Sequence, residues 1–207
     1  MSFLLTDDFS DSFEWHHKSF FVDMSFDNIL RIFQMFQDDL IADHRKMTLA
    51  IQMLVINESE LEFSDYDEIP KLFSMLMKRF LDIDVTKKSE DGKQTKTFDY
   101  EKDASLIYAS FFAVYKIDLF EMQGKLHWKK FNALLSNLND ESPLKKVIGY
   151  RTMKIPSSKE ASKEYISHIR KMKRIYSLEE EDTQIKVDEG FNTIAAILKG
   201  RAVTKNG

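Results

Sequence analysis

The sequence predicts a mostly α-helical fold, helix-dominated with α+β as the variant, arranged as a helical bundle behind a short N-terminal β-hairpin. Three observations predict it. Gly numbers 6 and Pro 3 in 207 residues, so breakers are scarce and long helices are favoured over many tight turns. Apolar residues recur at helical spacing in several separate windows. Hydrophobic residues make up 43% and aromatics 13%, enough for a core in one domain with extensions or in two small ones.

The elements follow in order. Phe13-Glu14-Trp15 and Phe20-Phe21-Val22 flank His16-His17-Lys18-Ser19, which reads as a hairpin with aromatic and β-branched arms. An isolated hairpin is marginal, so it is expected to dock on helices. Ser25 stands as the N-cap of a first helix with Phe26, Ile29, Leu30, Phe33 and Phe36 on one face. A second helix covers about 43–56, with Met47, Ala50, Ile51 and Leu54 inward. A third begins near Asp67 with Pro70 in its first turn and a stripe of Leu72, Phe73, Leu76, Met77 and Phe80.

The polar stretch 87–97, with Asp91-Gly92 inside it, reads as a loop and a soft boundary. A fourth helix is expected at about 101–115 and a fifth at about 125–138. Ser142-Pro143 reads as N-cap and first position of a sixth helix ending near Gly149-Tyr150. Ser158 is the expected cap of a seventh, running to about Tyr176. A last amphipathic stretch, about 183–198, carries Ile185, Phe191, Ile194, Ile197 and Leu198. The domain reading is therefore 1–177 for the helical body and 178–207 for an amphipathic helix and tail.

The composition narrows the function. The chain has no cysteine, which excludes disulfides and Cys-based metal sites and fits a reducing cytosol. Asp7, Asp8 and Asp11 near the start, with no basic residue, have the wrong charge for a signal peptide. No apolar run reaches the ~18 residues of a membrane span, so a soluble protein with no membrane partner is expected. The 10 Met residues fill core gaps or line an adaptable binding surface, core filling being the plainer reading.

Searching the motifs for chemistry yields nothing. His16 and His17, if on a strand, point to opposite faces and cannot share a metal. His127 and His168 lie on separate predicted helices and lack a HExxH pattern; an exposed or capping role is the plainer reading. Asp82-x-Asp84 opens like a calcium loop, but Lys87 replaces its turn glycine and Lys93 its bidentate glutamate. Gly92-Lys93 and Gly124-Lys125 lack the earlier glycine of a phosphate loop. The expectation is a protein that binds other proteins, with no catalytic site, no metal and no cofactor.

The net charge of -4 is unevenly spread. Residues 143–177 hold 10 Lys/Arg against 2 Asp/Glu, while the rest of the chain is acidic. Such polarity drives self-association or partner steering as readily as nucleic-acid binding. Within this segment Lys163, Arg170, Lys171 and Arg174 share one helical face, opposite Ile166, Ile169, Met172 and Ile175. A solvated face is the bland reading. Docking of an acidic partner, including another copy's acidic region, is the functional one. Nucleic acid is the weakest, since the whole chain is acidic and shows no nucleic-acid-binding signature.

Several runs resemble a known family. They are Ala104-Ser105-Leu106-Ile107-Tyr108-Ala109-Ser110-Phe111-Phe112, Tyr115-Lys116-Ile117-Asp118-Leu119, Leu126-His127-Trp128-Lys129-Lys130-Phe131 and Ile148-Gly149-Tyr150-Arg151. Together they resemble the phage "Gp-fifteen" family of tail-region proteins. The hairpin followed by Ser25-Phe26-Asp27-Asn28-Ile29-Leu30-Arg31 resembles the family's opening, and the likeness runs to about Tyr176. Family members often carry Gly where this chain has Lys116, and a second Trp where it has Lys129.

The resemblance implies a gene between the major tail protein and the tape measure in phages of Gram-positive bacteria. It therefore implies a tail-assembly role in the host bacterial cytoplasm. A chaperone that binds the tape-measure protein, with the tail-tube protein as a further partner, extends that reading. The runner-up is a minor structural protein retained in the virion; the third reading is a nucleic-acid-binding regulator. A chaperone of this kind needs Met- and Phe-rich helical grooves that accept amphipathic helices. The charge polarity would let copies line up head to tail as a homo-oligomer. The family-motif residues Tyr108, Phe112, Asp118, His127, Trp128, Phe131 and Arg151 are read mainly as core. Tyr108, Phe111, Phe112 and Tyr115 are expected to pack antiparallel against Trp128, Phe131, Leu135 and Leu138. Asp118 is expected to cap its turn, and Arg151 to pair with an acidic neighbour.

Overall fold

Strands β1 (Ser12–Trp15) and β2 (Lys18–Phe21) form one antiparallel hairpin, and α1 (Phe26–Gln37), α2 (Asp43–Leu54), α3 (Glu68–Leu81), α4 (Ala104–Tyr115), α5 (Trp128–Ser136), α6 (Pro143–Thr152) and α7 (Lys163–Ile175) follow. The fold is thus mostly α with an N-terminal hairpin. The computed structural model describes residues 4–7, 9, 11–85 and 97–178. The 183–198 stretch and nearly all of the 87–97 loop lie outside the described residues. The described chain forms two compact units, one from residues up to 85 with 123–131, the other from 97–122 with 132–178.

In the first unit the hairpin turns tighter than its sequence suggests. His16 and His17 alone make the turn, with φ of 46° and 61°, while Lys18 and Ser19 join β2. Two successive left-handed residues match the twist of the flanking strands, and His tolerates that conformation better than most. The two histidines are therefore turn residues, not strand residues on opposite faces. The register places Phe13 opposite Phe20, and their rings stack at 5.5 Å on the buried side. Phe80 of α3 meets Phe13 edge-on.

Helices α1, α2 and α3 pack in sequence, with Phe36 against Phe73. The expected stripes of α2 and α3 are buried, and in α1 Ile32 is buried while Leu30 and Phe33 are half-buried. Each such side chain removed from water contributes roughly 1.5–3 kcal/mol. Ser25 holds the N-cap position of α1, but its side chain makes no cap bond. Lys46 is buried beside these apolar residues. Its Nζ donates to the Phe36 carbonyl oxygen at 2.8 Å, satisfying an orphan acceptor at the α1 C-terminus.

Helix α5 starts three residues later than its periodicity predicts. The Phe26 N–H donates to the Leu126 carbonyl at 2.9 Å, and the Trp128 N–H to the Met24 carbonyl at 2.7 Å. The bridge between Ser25 and His127 that these bonds close keeps the chain extended through His127, so α5 opens only at Trp128. Trp128 and Phe131 then stack at 5.7 Å, with Phe131 on Phe26 and Trp128 edge-on to Phe33. The expected antiparallel packing of α4 on α5 is not the main contact. Within the second unit α4 packs chiefly on α6, and α6 on α7.

Serine caps mark the starts of α6 and α7. Ser142 Oγ accepts from the Lys145 N–H and Pro143 is the first residue of α6, as the sequence suggests. Ser110 is buried in α4 and adds a second cap: its Oγ accepts from the Leu144 N–H at 3.0 Å. Helix α7 is capped by Ser162, whose Oγ accepts from the Tyr165 N–H, and not by Ser158. Glu160 closes a turn on the Ser157 N–H and hydroxyl, which delays the helix.

Lys116 ends α4 with φ 58°, a left-handed conformation that favours glycine. Lys116→Gly is expected to stabilise the protein by about 1 kcal/mol, seen as a higher Tm. An unchanged or lower Tm would contradict this account of the helix end.

Candidate partner-binding surface

The second unit is built around Arg151 of α6. Its Nη1 and Nη2 donate to Asp103 Oδ2 and Oδ1 at 2.6 and 2.8 Å, a bidentate pair. Nη1 also donates to the Thr97 carbonyl at 3.1 Å, and Nε to the Tyr176 carbonyl at 2.6 Å. Asp103, 2% exposed, further accepts from the Asp99 N–H at 2.9 Å. One guanidinium thus ties the entry to α4, helix α6 and the end of α7. Its planar fork of donors is what permits this. Lys173 of α7 adds to it, donating to the carbonyls of Tyr150, Arg151 and Met153.

This frame leaves one face of α4 uncovered. The helix contains no charged residue, yet its buried residues are only Ile107, Ser110 and Phe111. Phe112 is 51% exposed, which corrects its placement in the core. Tyr108 is half-buried and stacks on Phe112 at 6.2 Å, and the Phe120 ring, 72% exposed, lies 5.4 Å from Tyr108. Asp118 fixes this corner. Its Oδ1 accepts from the Phe120 N–H at 2.9 Å, closing the turn, and its Oδ2 accepts from the Tyr108 hydroxyl at 3.2 Å. Desolvation, then the Asp118 carboxylate, raises the Tyr108 pKa. The result is a contiguous aromatic patch with the Asp118 carboxylate at its edge, held in place by hydrogen bonds. Patches of this kind mark interaction surfaces.

The basic residues singled out in the sequence lie on α7. Ile166 and Ile169 are buried, and Lys163, Arg170, Lys171 and Arg174 are exposed. None of the four meets a carboxylate among the described residues. His127, Trp128 and Phe131 belong to the first unit. Trp128 is 3% exposed and Phe131 is buried, so both are core side chains there. His127 Nδ1 accepts from the Lys129 N–H at 3.0 Å at the start of α5, its Nε2 lies 3.0 Å from Asp11, and Phe9 stacks on its ring at 4.5 Å. The motif residues are thus split: Arg151, Asp118, Tyr108 and Phe112 build the second unit and its patch, the other three the first.

A family model described as Bacteriophage Gp15 protein matches residues 5–178. This chain belongs to that family. No curated protein and no solved structure matches it. Gp15 proteins are phage structural or assembly-related proteins and are not known as enzymes. Among the described residues of this Gp15 protein no helix is long and apolar enough to cross a membrane.

Sequence reasoning missed Phe120 and the exposure of Phe112. A usable signal was present. A helix apolar on every side needs cover on every side, so such a helix in a chain this rich in charge signals a face for a partner.

Tyr100 reports on the integrity of this unit. Its hydroxyl donates to Asn132 Oδ1 at 3.3 Å, and burial raises its pKa to about 12. The folded state favours the neutral phenol. Its contribution is therefore complete below the unfolded value near ~10 and is lost as pH rises through about 12. Chemical denaturation at stepped pH is expected to show stability falling across this window, and Tyr100→Phe to flatten the fall. Equal slopes in both proteins would remove Tyr100 from the account.

Proposed function

We propose that this Gp15 protein is a tail-assembly chaperone that binds the tape-measure protein in the host bacterial cytoplasm and hands it to the polymerising tail-tube protein. The carrying observation is an aromatic patch left open on a member of the phage Gp15 family. A tape measure is a long helical chain whose apolar faces stay exposed until the tube covers them. Covering such a face removes the surface through which chains aggregate. Phe112, Phe120 and Tyr108 supply a face of the required chemistry, and helix-in-groove docking needs no cofactor. The free cations of α7 suit an acidic partner or an acidic stretch of the same client, and would speed encounter at low salt. The apolar contacts contribute roughly 25 cal/mol per Å² removed from water, weak enough in small patches for the tube to replace them.

Co-expression with the tape-measure protein of the same phage is expected to keep that protein soluble, and the two to co-purify. The chaperone is expected in infected cells and not in washed virions, because the tube displaces it. A tape measure that aggregates equally with and without the folded protein would end the chaperone reading. Fixed copies in purified particles would make it a structural tail component.

A further inference from the structure

We propose that, before a client arrives, the open face of α4 is covered by the α4 of a second copy of this chain, packed antiparallel about a two-fold axis. The occupant follows from the order of residues along that face. Glu101, in the turn leading into the helix, Ser105, Tyr108 with Ala109, Phe112 and Lys116 recur at spacings of three and four, so they form one stripe. Glu101, Ser105, Phe112 and Lys116 are exposed, and Tyr108 and Ala109 are half-buried.

The stripe is complementary to itself only when reversed. An axis between Tyr108 and Ala109 sets Phe112 of one copy against Ser105 of the other, a large ring over a small residue. The same axis sets Lys116 against Glu101, and symmetry makes each contact twice. A parallel arrangement would instead place Lys116 beside Lys116 and Glu101 beside Glu101. Among the described residues neither charge has an opposite partner within its own chain; Lys116 donates only to the Ala113 carbonyl at 3.2 Å. Between these ends α4 carries no charge, and the carboxylate beside the face, Asp118, is already satisfied by the Tyr108 hydroxyl and the Phe120 N–H. Antiparallel helix dipoles add to the preference. Phe120 lies beside Tyr108 and widens the contact.

Pairing would keep the aromatic face from water until a client helix competes for it. Only this competition rests on the chaperone reading; the dimer itself is tested on the protein alone. Sedimentation of the full chain from micromolar to sub-millimolar concentration is expected to show a monomer–dimer equilibrium. Glu101→Lys and Lys116→Glu are each expected to weaken it roughly tenfold, since two symmetry-related pairs become repulsive. The double reversal is expected to restore the constant to within about threefold, as coupled pairs do. Phe112→Ser is expected to leave a monomer with unchanged circular dichroism.

The chain has no cysteine, so a single introduced one reports geometry. Oxidised Ala109→Cys is expected to give a covalent dimer, and Leu40→Cys, 95% exposed in the other unit, is not. A monomer at every concentration overturns the proposal. So does a dimer indifferent to Phe112→Ser, or a double reversal as weak as the singles.

Discussion

The buried pairing of Arg151 with Asp103 is the constraint on which the second unit depends. Two charges taken out of water cost several kcal/mol each, and their attraction offsets this only when geometry is good and the remaining donors are satisfied. The pair is bidentate, and Arg151 also bonds the carbonyls of Thr97 and Tyr176, which engages most of its donors. The network orders three segments at once. It fixes where α4 begins and where α7 ends. A chain of short helices with small individual contacts gains from such a node a defined arrangement more than raw stability. The open aromatic patch inherits its shape from it, because the α4 that presents Tyr108 and Phe112 is the helix that Asp103 introduces.

Function follows from what the frame leaves bare. The first unit buries two aromatic groups, Phe13 with Phe20 and Phe80, and Phe26 with Phe131, Trp128 and Phe33, while Phe21 and Tyr66 lie exposed on it. The second places two of its aromatic rings at the surface beside a turn locked by Asp118. The proposed grip on an amphipathic client rests on that aromatic corner. Charge is kept apart, on α7, where it can steer encounter without being desolvated.

Much of this was legible in the sequence. Helical spacing marked α1, α2, α3, α5 and α7, because each buries a stripe whose period is set by local geometry. Ser142-Pro143 named its own cap. The misses share a cause, which is long-range structure. The start of α5 is delayed by pairing of 126–128 with 24–26, about a hundred residues earlier, and no local pattern records that. Two nearby serines competed to cap α7, and the Ser157–Glu160 turn decided for Ser162. Phe112 was misplaced because α4 is apolar all round, so its sequence carries no periodicity to say which face is covered. Arg151 was expected to find an acidic neighbour, but which one depends on a contact 48 residues away in the chain.

One guanidinium organises α4, α6 and α7 together. Hydrogen exchange of Arg151→Met, read by mass spectrometry against the wild type, tests it most directly. Removing the cation leaves Asp103 buried and unpaired, at a cost of roughly 3–5 kcal/mol. The account predicts that amide protection in α4, α6 and α7 falls together, while α1, α2 and α3 keep theirs. Protection lost only in the residues next to position 151, with α4 and α7 unchanged, would contradict it.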